Sequence, residues 1–439
     1  MCRQNRSFLR LFLTLAIWSF RMCVAEESFS IDQIVQMALK NHEKINISKL
    51  EIQKASLLSK FVISSVLPQI YLEGGITYPK EEVKLNSFVV MPSPLKDSRV
   101  VFSQLLFDAR ILPAYKGSKF IKKSIENFSE FQIQEVLIFV TEMFFDVLKN
   151  QKLLEVEEER VRLAREQKEI ISRRFDAGEV PKTDFLQAKV ELSRALRIKD
   201  EGNNRLLLSR EKLKSVSAIP DAKFSLEDPT HRFEEKFNVD LEVLFAKALN
   251  SRGDIKGLEK SLEASEMDVK RAKGAFWPRV FFNAEQSWAT PETFGRKNNT
   301  WVAAFRVEIP ILEGGKQCLE VTEATYNSQQ ANLQLQRLQE DVRIRITDVW
   351  LQGRSTQGNI KSLREEVAFE SEYYSVVSER YHLGRASNLD LNDAFHRFIL
   401  AKTTLVNEEY KYLLLSLKLL NEIGDFDGAY FKRMGQRSA

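Results

Sequence analysis

From Ile31 to Leu67 apolar residues recur at helical spacing (Ile34, Val35, Ala38, Leu39, then Ile45, Leu50, Ile52, Leu57, Leu58) with no internal Gly or Pro. That pattern predicts one helix, ended by Pro68. The period then drops to two: Ile70, Leu72, Ile76 and Tyr78 fall on one face of a strand, and Tyr71, Glu73 and Thr77 on the other. A second alternating stretch runs from Arg99 to Phe107, and Pro79 to Ser98 reads as a long loop. Further along, Val280, Phe282, Ala284 and Trp288 oppose Phe281, Asn283, Glu285 and Ser287. In the following strand Trp301, Ala303, Phe305, Val307 and Ile309 make one unbroken apolar face against Val302, Ala304, Arg306 and Glu308.

Very long helices follow each pair of strands. Leu112 to Asp176 has no Pro after Pro113 and no Gly after Gly117, and carries the stripe Ile133, Leu137, Val140, Phe144, Val147, Leu148, Leu154. At 1.5 Å per residue such a helix reaches roughly 100 Å, several times a membrane thickness, so it has to project. The chain breaks at Gly178 and returns as a helix from Thr183 to about Ser217. The same order recurs as a helix from about Lys316 to Leu383, a break at Gly384 and a return from Asn388 to Ile423. These stripes are read as ordinary coiled-coil core.

The recurrence is a duplication. Leu67-Pro68-Gln69-Ile70 falls on Trp277-Pro278-Arg279-Val280 at an offset of 210, and Phe107-Asp108 on Leu312-Glu313 at 205. Arg174-Phe175, Gly178, Asp184 and Ala188 fall on Arg380-Tyr381, Gly384, Asp390 and Ala394 at 206. Solenoid repeats are 20 to 50 residues long, so this is two copies of one large unit. The expected organisation is a first repeat over 26–227 (helix, strand hairpin 69–107, helical hairpin 112–217) and a second over 228–424 (helix, strand hairpin 279–312, helical hairpin 316–423). A polar, basic tail closes the chain to Ala439.

Alternation by itself also fits a half-buried sheet in a soluble domain. Three features favour a membrane face instead. The strands have the length of about ten residues that crosses a bilayer when tilted. Tyr78, Trp288 and Trp301 sit where an interfacial girdle belongs. Each hairpin is flanked by long helices, and a lone two-stranded hairpin is not stable in water. Four strands cannot close a membrane barrel, which needs at least about eight, so association between copies becomes a physical requirement.

Composition narrows the class. The 439 residues include only 17 Gly and 11 Pro, as few long elements require, and at 29% charged the chain is neither disordered nor a helical membrane protein. Residues 1–25 carry Arg3, Arg6 and Arg10, then an apolar run from Leu11 to Phe20, then Cys23-Val24-Ala25 before Glu26, which reads as a secretory signal peptide. Phe20, Arg21 and Met22 are not the residues expected before a lipidated cysteine, so no lipid anchor is expected at Cys23. Cleavage would remove four arginines and no acid, taking the formal charge from +4 to zero, which argues against nucleic acid as a partner. It would also leave Cys318 as the sole cysteine, with no intrachain disulfide. His42, His231, His382 and His396 have no metal spacing, no cofactor loop is visible, and no nucleophile, base and orienter come together, so no enzyme is expected.

Both helical hairpins turn with the same words: Arg174-Phe175-Asp176-Ala177-Gly178, five residues, Asp184, and Arg380-Tyr381-His382-Leu383-Gly384, five residues, Asp390. The glycines can close a helix in the left-handed conformation, and Thr183 or Asn388 can cap the next one. With the duplication, the Leu67-Pro68 and Trp277-Pro278 strand starts, and the strand exits Ser103 to Asp108 and Ile309 to Gly315, the chain from Ser30 to Gly424 resembles the TolC-type outer-membrane efflux proteins.

The resemblance implies a mainly α fold with β, a homotrimer whose twelve strands form one barrel in the outer-membrane lipid, and helices that continue it as a periplasmic tunnel. It implies a passive exit duct whose tips, with Arg174, Gly178, Arg380 and Gly384, meet a periplasmic adaptor protein linked to an inner-membrane pump. Asp390 and Asp393 match carboxylates that ring the periplasmic entrance as a pore constriction. Tyr381 matches a tyrosine of the closed-state lock, and Asp184 its partner. The family's best-known member has an arginine two residues after the second tip glycine; here Ala386 stands there with Arg385 beside it, so the lock is wired differently. The duct of a type I protein secretion system uses the same tunnel. A third reading, an exported coiled-coil scaffold, calls for strands with two polar faces, against the apolar face from Trp301 to Ile309.

Overall fold

The computed structural model describes residues 27–85, 88–217, 219, 224–229, 237–291 and 298–426. The signal peptide expected over residues 1–25, His231 and the tail beyond Phe426 lie outside them. Two compact units emerge, each assembled from separate stretches of chain.

One unit, residues 47–132 with 246–344, holds the strands that matter. β2 (Gln69–Thr77), β5 (Leu95–Asp108), β7 (Arg279–Thr290) and β8 (Asn299–Glu308) form one antiparallel sheet in the order β2-β5-β7-β8. Both strand pairs therefore join through β5 and β7, with Val100 opposite Gln286, Phe102 opposite Ala284 and Ser103 opposite Asn283. Helices α2 (Glu43–Ser64) and α6 (Gly253–Gly274) lead into β2 and β7. Close approach of α6 depends on Gly253: a Cβ there would stand 2.6 Å from the Asn127 carbonyl oxygen.

The other unit contains α1 (Ile31–Asn41), α4 (Lys182–Ser217), the start of α5 (Leu241–Ser251) up to Phe245, and α8 (Asn388–Glu422), with a short parallel pair of β1 (Glu27–Phe29) and β6 (Phe224–Leu226). Helices α3 (Ile111–Asp176) and α7 (Lys316–His382) run 66 and 67 residues and contribute their C-terminal parts here. Its core is the stripe read from the sequence: Leu137, Val140, Phe144 and Val147 of α3 are at most 2% exposed, and Phe395 and Ile399 of α8 are fully buried. Lower down, Val156, Val161 and Ala164 pack with Ala195, Phe395 and Phe398. This is the apolar seam that a helical hairpin needs, since propensity alone holds few helices.

Several elements differ from the sequence reading. The single helix expected over Ile31 to Leu67 is two, because His42 takes extended backbone (φ −68°, ψ 127°) and its Nδ1 accepts the Lys44 N–H at 3.2 Å, ending α1 and opening α2 without Gly or Pro. The start of α1 is a capping box between Ser30 and Gln33. The loop expected over Pro79 to Ser98 holds a small hairpin of β3 (Val83–Leu85) and β4 (Phe88–Met91), and β5 begins at Leu95 rather than Arg99. The second hairpin's last strand ends at Glu308, before Pro310. The cap of α8 is Ser387, not Asn388, and Pro181 stands in the equivalent place before α4, where Thr183 was expected.

Candidate functional site: an open sheet and a clasped helical tip

Strand register sorts the sheet into two chemical faces. One carries Ile70 and Leu72 beside Phe102 and Val100, then Ala284 and Phe282, then Ala303, Phe305 and Val307, with Gln104 and Gln286 as its polar members. Leu72, Trp301 and Phe305 are 77%, 73% and 73% exposed. Left in water, each such side chain forgoes roughly 1.5–3 kcal/mol of burial. The opposite face carries the paired charges, interspersed with Tyr71, Val101, Phe281 and Val302. Glu73 holds Arg99 at 2.6 Å, Arg279 holds Glu308 at 3.0 Å, and Ser103 donates to Asn283 at 2.9 Å. At either side of the sheet, β2 and β8 have no strand neighbour among the described residues. A sheet with a predominantly apolar face, a face that carries its ion pairs and two open edges is incomplete, and closure is what removes edges. No described helix is long and apolar enough to cross a membrane.

The helical tips close by identical backbone geometry. At the first, Glu179 N–H donates to the Arg174 carbonyl (2.8 Å) and Gly178 N–H to that of Phe175 (2.9 Å), with φ +76° at Gly178. At the second, Arg385 N–H donates to Arg380 (2.8 Å) and Gly384 N–H to Tyr381 (3.0 Å), with φ +69° at Gly384. Both are Schellman closures, which require the left-handed residue at that position. Under them Ile171, Ala188, Val377, Tyr381, Leu391 and Ala394 form a common core, with Ala386 packed against it.

The side chains differ between the copies. Arg174 reaches from α3 to α7: its Nη1 donates to the Tyr381 carbonyl at 2.9 Å, its guanidinium lies 5.1 Å over the Tyr381 ring, and its Nε bonds Glu179 at 3.0 Å. A cation thereby caps the negative end of α7. Its counterpart Arg380 is exposed, and so is Arg385, whose backbone makes the Schellman bond. The Tyr381 side chain is 3% exposed and its hydroxyl has no hydrogen-bond partner among the described residues. Burial pushes that hydroxyl's pKa up, Arg174 pulls it back, and the Asp184 charge adds to the rise. Asp184 itself accepts from Thr183 at 3.4 Å.

Asp390 and Asp393 are both exposed but locally engaged. The Asp390 carboxylate accepts the Ser387 N–H (3.0 Å) and hydroxyl (2.7 Å), which with the reciprocal bond from Asp390 N–H makes a capping box. These hydrogen bonds, the backbone one first, hold its pKa below the usual carboxylate value. Asp393 pairs with Arg397 at 2.9 Å, one turn on.

Behind the tip runs a polar ladder that the sequence reading missed: Gln167 donates to Asn392 (2.9 Å), Asn392 to Asn388 (3.5 Å), and Asn388 to Gln187 (3.0 Å). Gln167, Asn388 and Asn392 are buried, so polar residues at seam positions of α3 and α8 were the available signal. No group of His, Cys, Asp and Glu among the described residues could hold a metal ion.

Comparison with known proteins agrees with this architecture. Residues 244–425 match the sequence profile of the family described as "Outer membrane efflux protein". The outer membrane efflux protein BepC of Brucella suis is 23% identical over 294 residues, 66% of this chain. That match spans 63% of BepC's own length, a little under two thirds. The alkaline protease secretion protein AprF of Pseudomonas aeruginosa is 22% identical over 96% of this chain and 90% of its own, and the outer membrane protein TolC of Vibrio cholerae 21% over 95% of each. Among solved structures, the CmeC outer membrane channel of Campylobacter jejuni superposes with a TM-score of 0.77 at 18% identity, covering 93% of this chain and 89% of CmeC. The fold is thus that of the TolC-like channels. These findings bear out the resemblance to the TolC-type outer-membrane efflux protein family, whose profile the second half of the chain matches directly.

Proposed function

We propose that the protein is the outer-membrane channel of a tripartite efflux system: a passive duct for substrates delivered by an inner-membrane pump through a periplasmic adaptor. The observation that carries this reading is the open four-stranded sheet, predominantly apolar on one face and carrying its ion pairs on the other. In a homotrimer three such sheets give twelve strands, enough to close a barrel in the outer membrane with the paired charges of Glu73, Arg99, Arg279 and Glu308 turned to its lumen. The helices continue the duct into the periplasm. The chain is read as two repeats, 26–227 and 228–424, and the matching Schellman closures support that division. No chemical step is assigned to the protein.

At the tips, Gly178 and Gly384 with the exposed Arg380 form the surface offered to the adaptor. Arg174 was expected there too; its guanidinium is engaged inside the tip, which makes it a clasp between the two helical hairpins. Tyr381 and Asp184 belong to the closed state, Tyr381 through its ring and carbonyl. Arg385 projects free for a contact outside the chain. Asp390 and Asp393 ring the entrance as a cation-favouring constriction, as crowded carboxylates do in other pores. Planar-bilayer recording of the double variant Asp390→Ala, Asp393→Ala tests this: conductance rises or cation selectivity falls, and currents equal to wild type refute the ring.

A second reading is the exit duct of a type I secretion system, favoured by the end-to-end match with AprF. Deleting the gene discriminates: the efflux reading expects sensitivity to small toxic compounds, and the secretion reading expects loss of an exported polypeptide from the medium.

A further inference from the structure

The strand β8 is too short for the membrane it faces, and the residues after it supply what is missing. From Trp301 to Glu308 the strand advances seven residues, about 18 Å of height at a rise of ~3.3 Å and a tilt of ~40°. The lipid-facing band of an outer-membrane barrel is about 25 Å tall, bounded by a girdle at each interface. With Trp301 at the outer girdle, roughly 7 Å remain below Glu308.

The next apolar residues are Ile309, Ile311 and Leu312. Ile311 and Leu312 are 92% and 87% exposed, the highest values of any large apolar side chains described. Ile309 continues the outward parity of Phe305 and Val307. Immediately beyond, Glu313 and Lys316 flank Gly314 and Gly315, whose φ of +62° and +80° lead into α7 with open space around both. The run of exposed apolar residues is interrupted there by Glu313, Gly314, Gly315 and Lys316, before Leu319 on α7, which is 70% exposed. Register brings more apolar surface to the same end of the sheet. Arg279 pairs with Glu308, so Phe276 and Trp277, in the turn between α6 and β7, come at the same end of the sheet as Ile309, and both are about half or more exposed.

We infer that Ile309, Ile311 and Leu312, with Phe276 and Trp277, form an anchor in the phospholipid of the periplasmic leaflet, at the boundary between headgroups and acyl chains. The inference rests on the membrane reading above. A neighbouring copy is the other occupant to consider, but a strand joining the β8 edge meets it through backbone hydrogen bonds and leaves the outward side chains of Phe305, Val307 and Ile309 uncovered. Lipid covers that face, and the anchor lies on its continuation. Such a segment sets the depth of the barrel, as interfacial aromatic and aliphatic residues do elsewhere.

The test uses the full-length protein in vesicles of phosphatidylethanolamine and phosphatidylglycerol, in a Cys318→Ser background so that one introduced cysteine carries a spin label. Labels at Ile311→Cys and Leu312→Cys are compared with Phe305→Cys on the strand and Leu351→Cys on α7, by collision with oxygen and with a water-soluble nickel chelate. The expected result is that 311 and 312 favour oxygen several-fold over the label at 351, at a shallower depth than 305. If 305 meets lipid while 311 and 312 collide with the chelate as readily as 351, or are shielded from both reagents, the anchor is overturned and the barrel stands. If 305 also collides with the chelate, the membrane reading beneath it falls as well.

Discussion

Replacing Arg174 by Met keeps the length and apolar stem of the side chain and removes its charge. The charge-assisted bond to the Tyr381 carbonyl (2.9 Å) belongs to a class worth about 1.5–3 kcal/mol. The guanidinium over the ring adds ~0.5–1 kcal/mol, while the pair with the half-exposed Glu179 contributes little because solvent screens it. The methionine stem recovers part of the packing. A net loss of about 2 kcal/mol per chain shifts the balance between clasped and open tips by roughly thirtyfold. Amide hydrogen exchange reads this directly: protection over Tyr381 to Arg385 and the first turn of α8 falls about thirtyfold, while α6 and the first half of α3 are unchanged. Tyr381→Phe is the companion variant. Its hydroxyl has no partner among the described residues, so protection stays at the wild-type level. Unchanged exchange in Arg174→Met, or a large effect in Tyr381→Phe, would refute the clasp as drawn from the geometry.

Other outcomes follow from packing and charge. Gly353→Ala drives a Cβ into the fully buried Phe237 ring, so the variant loses about 2 kcal/mol in urea unfolding; Trp350, whose indole donates to the Val239 carbonyl, reports the shift by fluorescence, and a wild-type midpoint would contradict the contact. The cap at Asp390 depends on its carboxylate. Because its folded pKa is depressed, the stabilisation is present above the ordinary carboxylate value near ~4 and is lost as pH falls through the folded one. Exchange at the start of α8 should rise on acidification in wild type and be insensitive to pH, beyond the intrinsic rate, in Asp390→Asn.

Much of the architecture is legible in the residues because its signals are local and strictly periodic. The two-residue period of Trp301 to Ile309 and its mates survives because one face meets an apolar surround and the other does not. The tip glycines were legible because only a left-handed residue closes a helix that way. The rest depends on partners distant in sequence or on substitutes for the usual punctuation. Nothing in either hairpin announces that β5 pairs with β7, since that register is set across more than 170 residues. The break at His42 uses an imidazole nitrogen in place of Gly or Pro. Ser387 was overlooked as a cap although Ser387 and Asp390 have capping-box spacing. Arg174 reads as a surface residue of a turn motif, and only the fold reveals that it caps a helix 207 residues on. The carboxylates at 390 and 393 were legible as acids at a helix start, but not that each already has a local partner.

The central claim is that four strands per chain find lipid only by sealing with those of neighbouring copies. Mass measurement of the detergent-extracted particle by native mass spectrometry, on material recovered from the membrane fraction, tests this most directly. Three chains per particle, extracted only with detergent, is the predicted result. A single chain that stays in the aqueous fraction without detergent would contradict the account.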